Sequence, residues 1–278
     1  MNKKIGVIFA LVLVAFLVMG TASAGLFDFL GGNNASNNST ANDENTFIVG
    51  FDAEFPPYGF KDDSGNYTGF DLDLAKEVCE RNNWTFKAQP IDWDAKDAEI
   101  DSGSIDCIWN GFTIDGREND YTWSDPYFDN KQVFIVKSNS GINSIDDLNG
   151  KTVETQKDSS ALAALNGDNK TIKDTFGTLT EVADYNTAFM DLESGACDAI
   201  AMDIGVGEYD IKNKGNPDDF KVLDDAITTE KYGIGFKKGN DDLKNKVQDT
   251  LNEMFKDGTV AKIAQKYGIS EDALIQPE

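Results

Sequence analysis

Residues 106–117 read DCIWNGFTIDGR, and the order of side chains describes an anion-binding loop. An apolar strand through Cys107, Ile108 and Trp109 runs into a turn at Gly111, then the hydroxyl of Thr113 and the guanidinium of Arg117. Backbone N–H groups exposed around a glycine, a hydroxyl donor and a planar two-pronged cation together suit a carboxylate. Downstream, Asp198-Ala-Ile-Ala-Met-Asp203 ends a second apolar strand in a carboxylate able to hold an ammonium group. A cation for one end and an anion for the other is what a free α-amino acid requires. The chemistry implied is capture, with no bond made or broken.

These groups need a scaffold, and the hydrophobic pattern supplies an α/β one. An apolar strand over 47–51 leads into a loop over 52–58, where paired prolines oppose regular structure. A helix is expected over 69–82, with Leu72, Ala75, Val78 and Cys79 on one face, then a strand over 84–89, a helix over 95–102 and a strand over 105–109. A second series follows the strand at 132–136. It has strands at 151–155, 181–183, 198–202 and 220–223, with helices at 160–165, 186–194 and 204–214. The chain returns through 232–236 to helices at 241–254 and 260–267. Strand–helix alternation favours mostly parallel sheets flanked by helices. Two such series and a distinct C-terminal section suggest two lobes, with hinges near 131–137 and 228–232.

Composition narrows the function. The chain has 278 residues, 49 acidic against 25 basic, and a net charge of −24, which disfavours nucleic acid and anionic lipid as partners. It contains no histidine, which removes Ser-His-Asp and Cys-His nucleophiles and histidine-based zinc sites. No metal or cofactor is expected. The basic start Asn2-Lys3-Lys4, the apolar run over 5–19 and Ala22-Ser23-Ala24 form an export signal over 1–24, cleaved after Ala24 or retained as an anchor. Residues 25–46 read as a flexible tether rich in Asn, Ser and Gly, with sequons at Asn34, Asn37 and Asn38; others begin at Asn66 and Asn83. Cys79, Cys107 and Cys197 lack the spacing of a disulfide framework and read as buried small hydrophobes.

Four segments carry a family resemblance: VGFDAEFPPYGF (49–60), GFDLDLAKEV (69–78), WNGFTIDGRENDYTWSDPYF (109–128) and GKTVETQKDSSALAAL (150–165). From about residue 47 to 268 the chain resembles the extracellular solute-binding proteins of polar amino-acid ABC transporters, which include glutamine- and histidine-binding proteins. The resemblance implies a type II periplasmic-binding-protein fold, with lobe 1 over 47–133 and 230–278 and lobe 2 over 134–229. It implies that Arg117 grips the ligand's α-carboxylate, with Thr113 adding a donor, and that the Gly111 carbonyl and Asp203 hold the ammonium. Asn110 lines the same edge. Ser159 and Ser160 offer a hydroxyl and N–H groups at a helix start, where one of the two also reads as a plain helix cap. Phe55 and Trp93 sandwich the ligand side chain, and Asp52 reaches its far end. Asp158 departs from the family's usual glycine, and its charge is expected to weaken carboxylate binding. Gln156 and Met202 stand where family members vary with ligand.

The implied partners are a free amino acid and a membrane permease, with the protein a monomer. Two other readings use the same scaffold. A ligand sensor for a membrane receptor is distinguished by its partner genes. A dehydratase of cyclic acids needs an acid such as Glu154 or Asp158, and the sequence pairs neither with a second catalytic group.

Overall fold

The computed structural model describes residues 45–276. The expected export signal, residues 25–44 of the tether and the sequons at Asn34, Asn37 and Asn38 lie outside the described residues. No helix among the described residues is long and apolar enough to cross a membrane.

Strand β1 (Thr46–Phe51) leads to the short strands β2 (Glu54–Phe55), β3 (Gly59–Lys61) and β4 (Tyr67–Thr68). Helix α1 (Phe70–Asn82), β5 (Thr85–Pro90), α2 (Lys96–Ser102), β6 (Cys107–Ile108) and β7 (Thr122–Trp123) complete the first series. The second opens with β8 (Phe128–Lys137), β9 (Thr152–Gln156), α3 (Ser160–Asn166), α4 (Lys170–Lys173) and β10 (Thr178–Val182). It continues through α5 (Tyr185–Ser194), β11 (Ala199–Asp203), α6 (Ile204–Asn213) and β12 (Phe220–Val222). Strands β13 (Thr228–Tyr232) and β14 (Gly235–Phe236) precede helices α7 (Asp241–Lys256) and α8 (Thr259–Lys266).

The first sheet runs β5-β1-β6-β14-β7 and the second β10-β9-β11-β8-β12, with β13 also paired to β8. The two orders are equivalent. In each, three parallel strands lie side by side, and a strand from the opposite end of the series pairs antiparallel beside them. The expected two-lobed α/β arrangement is present.

Burial follows from the sequence pattern. Helix α1 buries Leu72, Ala75, Val78 and Cys79 together with Phe70 and Leu74, and Asn83 ends it in the left-handed region at φ 56°. Helix α7 buries Val247, Leu251 and Met254, one stripe at helical spacing. Residues 133–136 of β8 are all buried, as expected for a strand covered on both faces. At its start, β8 instead alternates, burying Phe128, Asn130 and Gln132 between exposed Asp129 and Lys131. Two buried amides thus share one face of the strand. Cys79, Cys107 and Cys197 are free and buried.

Several details differ from the sequence reading. The 52–58 loop is part of a hairpin, because pairing Glu54 with Phe60 and Phe55 with Gly59 leaves Pro56 and Pro57 in the turn, where no ladder N–H is needed. The return strand expected at 232–236 is divided between β13 and β14 around Gly233 and Ile234. Strand β10 starts earlier than expected, because its polar residues Thr178 and Thr180 still complete a ladder with β9. Leu251→Ala should destabilise the protein by about 2–5 kcal/mol in urea unfolding, through the cavity it leaves. Met190→Ala, at a side chain 65% exposed, should change stability by no more than about 0.5 kcal/mol.

Candidate functional site

The candidate residues gather at the carboxyl ends of parallel strands, where open α/β sheets place their ligands. Asp52 follows β1, Trp93 follows β5, and Asn110, Gly111 and Thr113 follow β6. Ser159 and Ser160 follow β9, and Asp203 is the last residue of β11. A nearly closed cavity of about 10 Å³ is lined by Phe55, Trp93, Asn110, Gly111, Gln156, Ser159, Ser160 and Asp203. Phe55 packs 5.8 Å from the Tyr58 ring and 6.1 Å from that of Tyr185, and Trp93 meets Phe112 edge-on at 5.4 Å.

Arg117 reaches this cavity's edge rather than its lining. Its Nη1 donates to the Ser160 hydroxyl at 3.3 Å and the Thr113 carbonyl at 3.4 Å, and its Nη2 to the Asp158 carbonyl at 3.1 Å. All three acceptors are neutral. The guanidinium carbon lies 5.4 Å from the centre of the Phe112 ring, which holds the plane in place. Ser160 Oγ donates in turn to Thr113 Oγ1 at 2.7 Å. The neighbouring Ser159 is the helix cap, its hydroxyl accepting from Leu162 N at 3.1 Å. One serine caps the helix and the other joins the polar chain.

Gly111 departs from the sequence reading in one respect. Its N–H is not exposed to a ligand but donates to Asp71 Oδ2 at 2.6 Å. A side chain is excluded there, since φ is +55° and a Cβ would stand 2.8 Å from Phe55 Cε1. Asp71, fully buried, also accepts from Tyr127 OH at 2.8 Å, so one α1 carboxylate fixes the turn that follows β6. Burial pushes the Asp71 carboxyl up to about 7, against the opposing effect of those two donors.

Asp158 takes the left-handed conformation at φ 54°, a region where its family-typical glycine is unstrained. Its carboxylate forms an ion pair with Lys96, a lysine only 1% exposed and 5.2 Å from the Trp93 ring centre. The charge expected to oppose an incoming carboxylate is therefore neutralised locally.

The anionic end lies deeper. Asp203 stands at the N-cap of α6 but makes no side-chain capping bond. Its Oδ1 accepts from Asn130 Nδ2 at 2.7 Å, Gln132 Nε2 at 2.8 Å and Tyr232 OH at 2.5 Å. Glu230 Oε1 accepts from the same two amides at 2.8 and 2.7 Å and from Thr113 Oγ1 at 2.9 Å. Burial, then the neighbouring Glu230 charge, pushes the Asp203 carboxyl up to about 7; burial also raises Glu230. Asp52 caps a turn through Glu54 N at 2.9 Å and also accepts from Gln156 Nε2 at 2.6 Å. Burial raises its carboxyl. Beyond Asp52 and Trp93 a wider cleft of about 610 Å³ is bordered by Glu54, Asp92, Asp94, Glu99, Asp184 and Lys157.

Glu230, Asn130, Gln132, Asp71 and Lys96 were not among the sequence candidates. Alternation over 128–132 was the available signal for the two amides.

Residues 47–270 match the bacterial extracellular solute-binding proteins, family 3. The L-cystine-binding protein TcyJ of Escherichia coli is 32% identical over 225 residues, covering 80% of this chain and 82% of that protein. A substrate-binding protein of an ABC uptake transporter from Streptococcus pneumoniae, solved with bound histidine, superimposes with a TM-score of 0.79. It is 33% identical, with 83% of this chain and 94% of that one covered. An ancestral arginine-binding protein bound to arginine has a TM-score of 0.75 and 36% identity, over 81% of this chain and 98% of its own.

Asp71 gives a pH signature. Its carboxyl keeps a proton up to about 7 in the folded chain against 3.8 in the reference state, so the folded form binds more protons in that window. Its contribution to stability therefore falls as pH rises from 3.8 to about 7. In Asp71→Asn this part of the slope should vanish, a change of up to about 1.4 kcal/mol per pH unit. Urea unfolding at several pH values measures it.

Proposed function

The chain belongs to the bacterial extracellular solute-binding proteins, family 3, and from that premise we propose that it captures a free polar or basic L-amino acid and delivers it to the permease of an ABC importer. One observation carries this reading. Asp203 lines one small cavity, Arg117 reaches its edge through the lining residue Ser160, and no ion pair among the described residues involves Arg117 or Asp203. Opposite charges held apart by neutral dipoles form a template for a zwitterion.

In this reading Arg117 grips the α-carboxylate with help from Thr113 and Ser160. Asp203 and the Gly111 carbonyl hold the ammonium. Phe55 and Trp93 face the ligand side chain, Asn110 and Ser159 line its flank, and Asp52 meets its far end. Charge-assisted hydrogen bonds contribute roughly 1.5–3 kcal/mol each. Several of these, less the cost of association, suit roughly micromolar binding near −8 kcal/mol. The acids bordering the wider cleft outnumber its single lysine, Lys157, which favours a cationic or amide side chain over an acidic one.

We assign lobe 1 to 47–133 and 230–278 and lobe 2 to 134–229. Support comes from the sheets outside the crossing strands β8 and β13: the first uses strands within residues 46–123 and 235–236, and the rest of the second lies within 152–222. Arg117 and Thr113 follow a strand of the first sheet, and Ser160 and Asp203 a strand of the second. Ligand then favours closure because neither lobe alone satisfies both of its charges. The protein acts as a monomer at the outer face of the membrane and performs no chemistry. Asp158, one nominated acid, is already paired with Lys96. Glu154, the other, lies buried on β9.

Arg117→Ala should weaken binding by about 2–5 kcal/mol, by leaving a buried carboxylate unpaired. A thermal-shift screen of the common amino acids identifies the ligand, and titration calorimetry of the variant measures the loss. Unchanged affinity overturns the assignment.

A further inference from the structure

Strands β11, β8 and β13 lie side by side, with Asp203 opposite Gln132, and Asn130 opposite Glu230. Residues two apart on a strand share a face, so this register gathers both carboxylates and both amides into one layer. Each amide nitrogen donates to Asp203 Oδ1 and to Glu230 Oε1, all at 2.7–2.8 Å. The two carboxylate oxygens are therefore separated by no more than two hydrogen-bond lengths. Both side chains are buried, at 4% and 5% exposure, and neither has an ion-pair partner among the described residues.

We propose that Glu230 is a positioning residue for Asp203, and that the two carboxyl groups share one proton which the ligand's ammonium group displaces. The proposal rests on the assignment of Asp203 to the ammonium. Two carboxylates this close in a dry site do not both ionise readily; the pair retains a proton and titrates as a unit. Burial raises both groups, and the Glu230 charge raises Asp203 further.

The surroundings do not cancel this. From β13, Tyr232 OH donates to Asp203; from the β6 turn, Thr113 Oγ1 donates to Glu230. The phenols of Tyr58 and Tyr185 stand within the field of Asp203 and are themselves raised by burial. Arg117 is the cation whose field reaches Glu230, and it acts through a connected chain. Its Nη1 donates to Ser160, Ser160 to Thr113, and Thr113 to Glu230. Glu230 thereby joins the carboxylate-gripping end of the site to the ammonium-gripping end.

When the ammonium arrives, the O–H bond of the shared proton breaks, the proton passes to solvent, and an ammonium–carboxylate contact replaces it. Below about pH 7 binding then releases on the order of one proton, and affinity falls by up to about tenfold per pH unit as pH decreases. The test is titration calorimetry with L-arginine, L-glutamine and L-cystine from pH 5.5 to 8, in paired buffers of different ionisation heat. The expected result is a buffer-dependent binding heat at pH 6 that disappears near pH 8. Glu230→Gln keeps the acceptor oxygen but removes the repulsion, and should flatten the pH profile and abolish the buffer dependence. A buffer-independent heat with a flat profile in the unaltered protein overturns the proposal, whether or not the variant folds. So does a variant with an unchanged slope. Absence of binding by these three and by every other common amino acid at every pH overturns both the amino-acid reading and this inference; binding without proton release overturns the inference alone.

Discussion

An acidic group buried without a countercharge is among the costliest features a fold can hold, and this fold holds one at Asp203. Neutral donors do the work a cation would otherwise do. Two amides and a phenol converge on one carboxylate oxygen, and the amides also reach Glu230. Such donors stabilise negative charge without cancelling it, so the group stays attractive to an incoming cation. Arg117 is treated in the mirror sense, its N–H groups satisfied by carbonyl and hydroxyl oxygens. Where a countercharge is supplied, as Lys96 supplies one to Asp158, the effect is the reverse: a charge beside the site is silenced.

The rest of the architecture serves to keep these groups in register. Equivalent strand orders in the two sheets direct the carboxyl ends of their parallel strands to a common region. Asp71 extends the control backward, because a carboxylate near the start of α1 ties down the Gly111 turn and the Tyr127 hydroxyl together. The absence of a side chain at Gly111 lets Phe55 and Tyr232 close over that turn. Each contact is between segments distant in sequence, so tertiary packing and not the local sequence fixes this turn.

Much of this was legible in the chain, for reasons that can be stated. Apolar runs such as 133–136 mark strands covered on both faces, and α1 and α7 carry their stripes at helical spacing. Asp203 could be read because an acid ends an otherwise apolar strand. Glu230 could not, since Thr228-Thr-Glu-Lys-Tyr232 looks like an exposed polar strand until β8 lies beside it. Lys96 opens a short helix full of acids and resembles a solvated face, yet Trp93 and Asp158 enclose it. In sequence the turn at Gly111 reads as a free donor, because nothing local announces that Asp71 occupies its N–H. What sequence withholds is pairing across long separations, and the polar layer is made of such pairings.

The antiparallel ladder between β8 and β13 has a mechanical meaning. Two separate connectors would let one half of the molecule swing and twist about several axes. Here the connecting strands are laced at five positions, from Thr228 opposite Gln132 to Tyr232 opposite Phe128. A laced ribbon resists shear, so under the proposed hinge closure it would bend most easily along one line. Such a closure would follow one reproducible arc and return the same surfaces to each other.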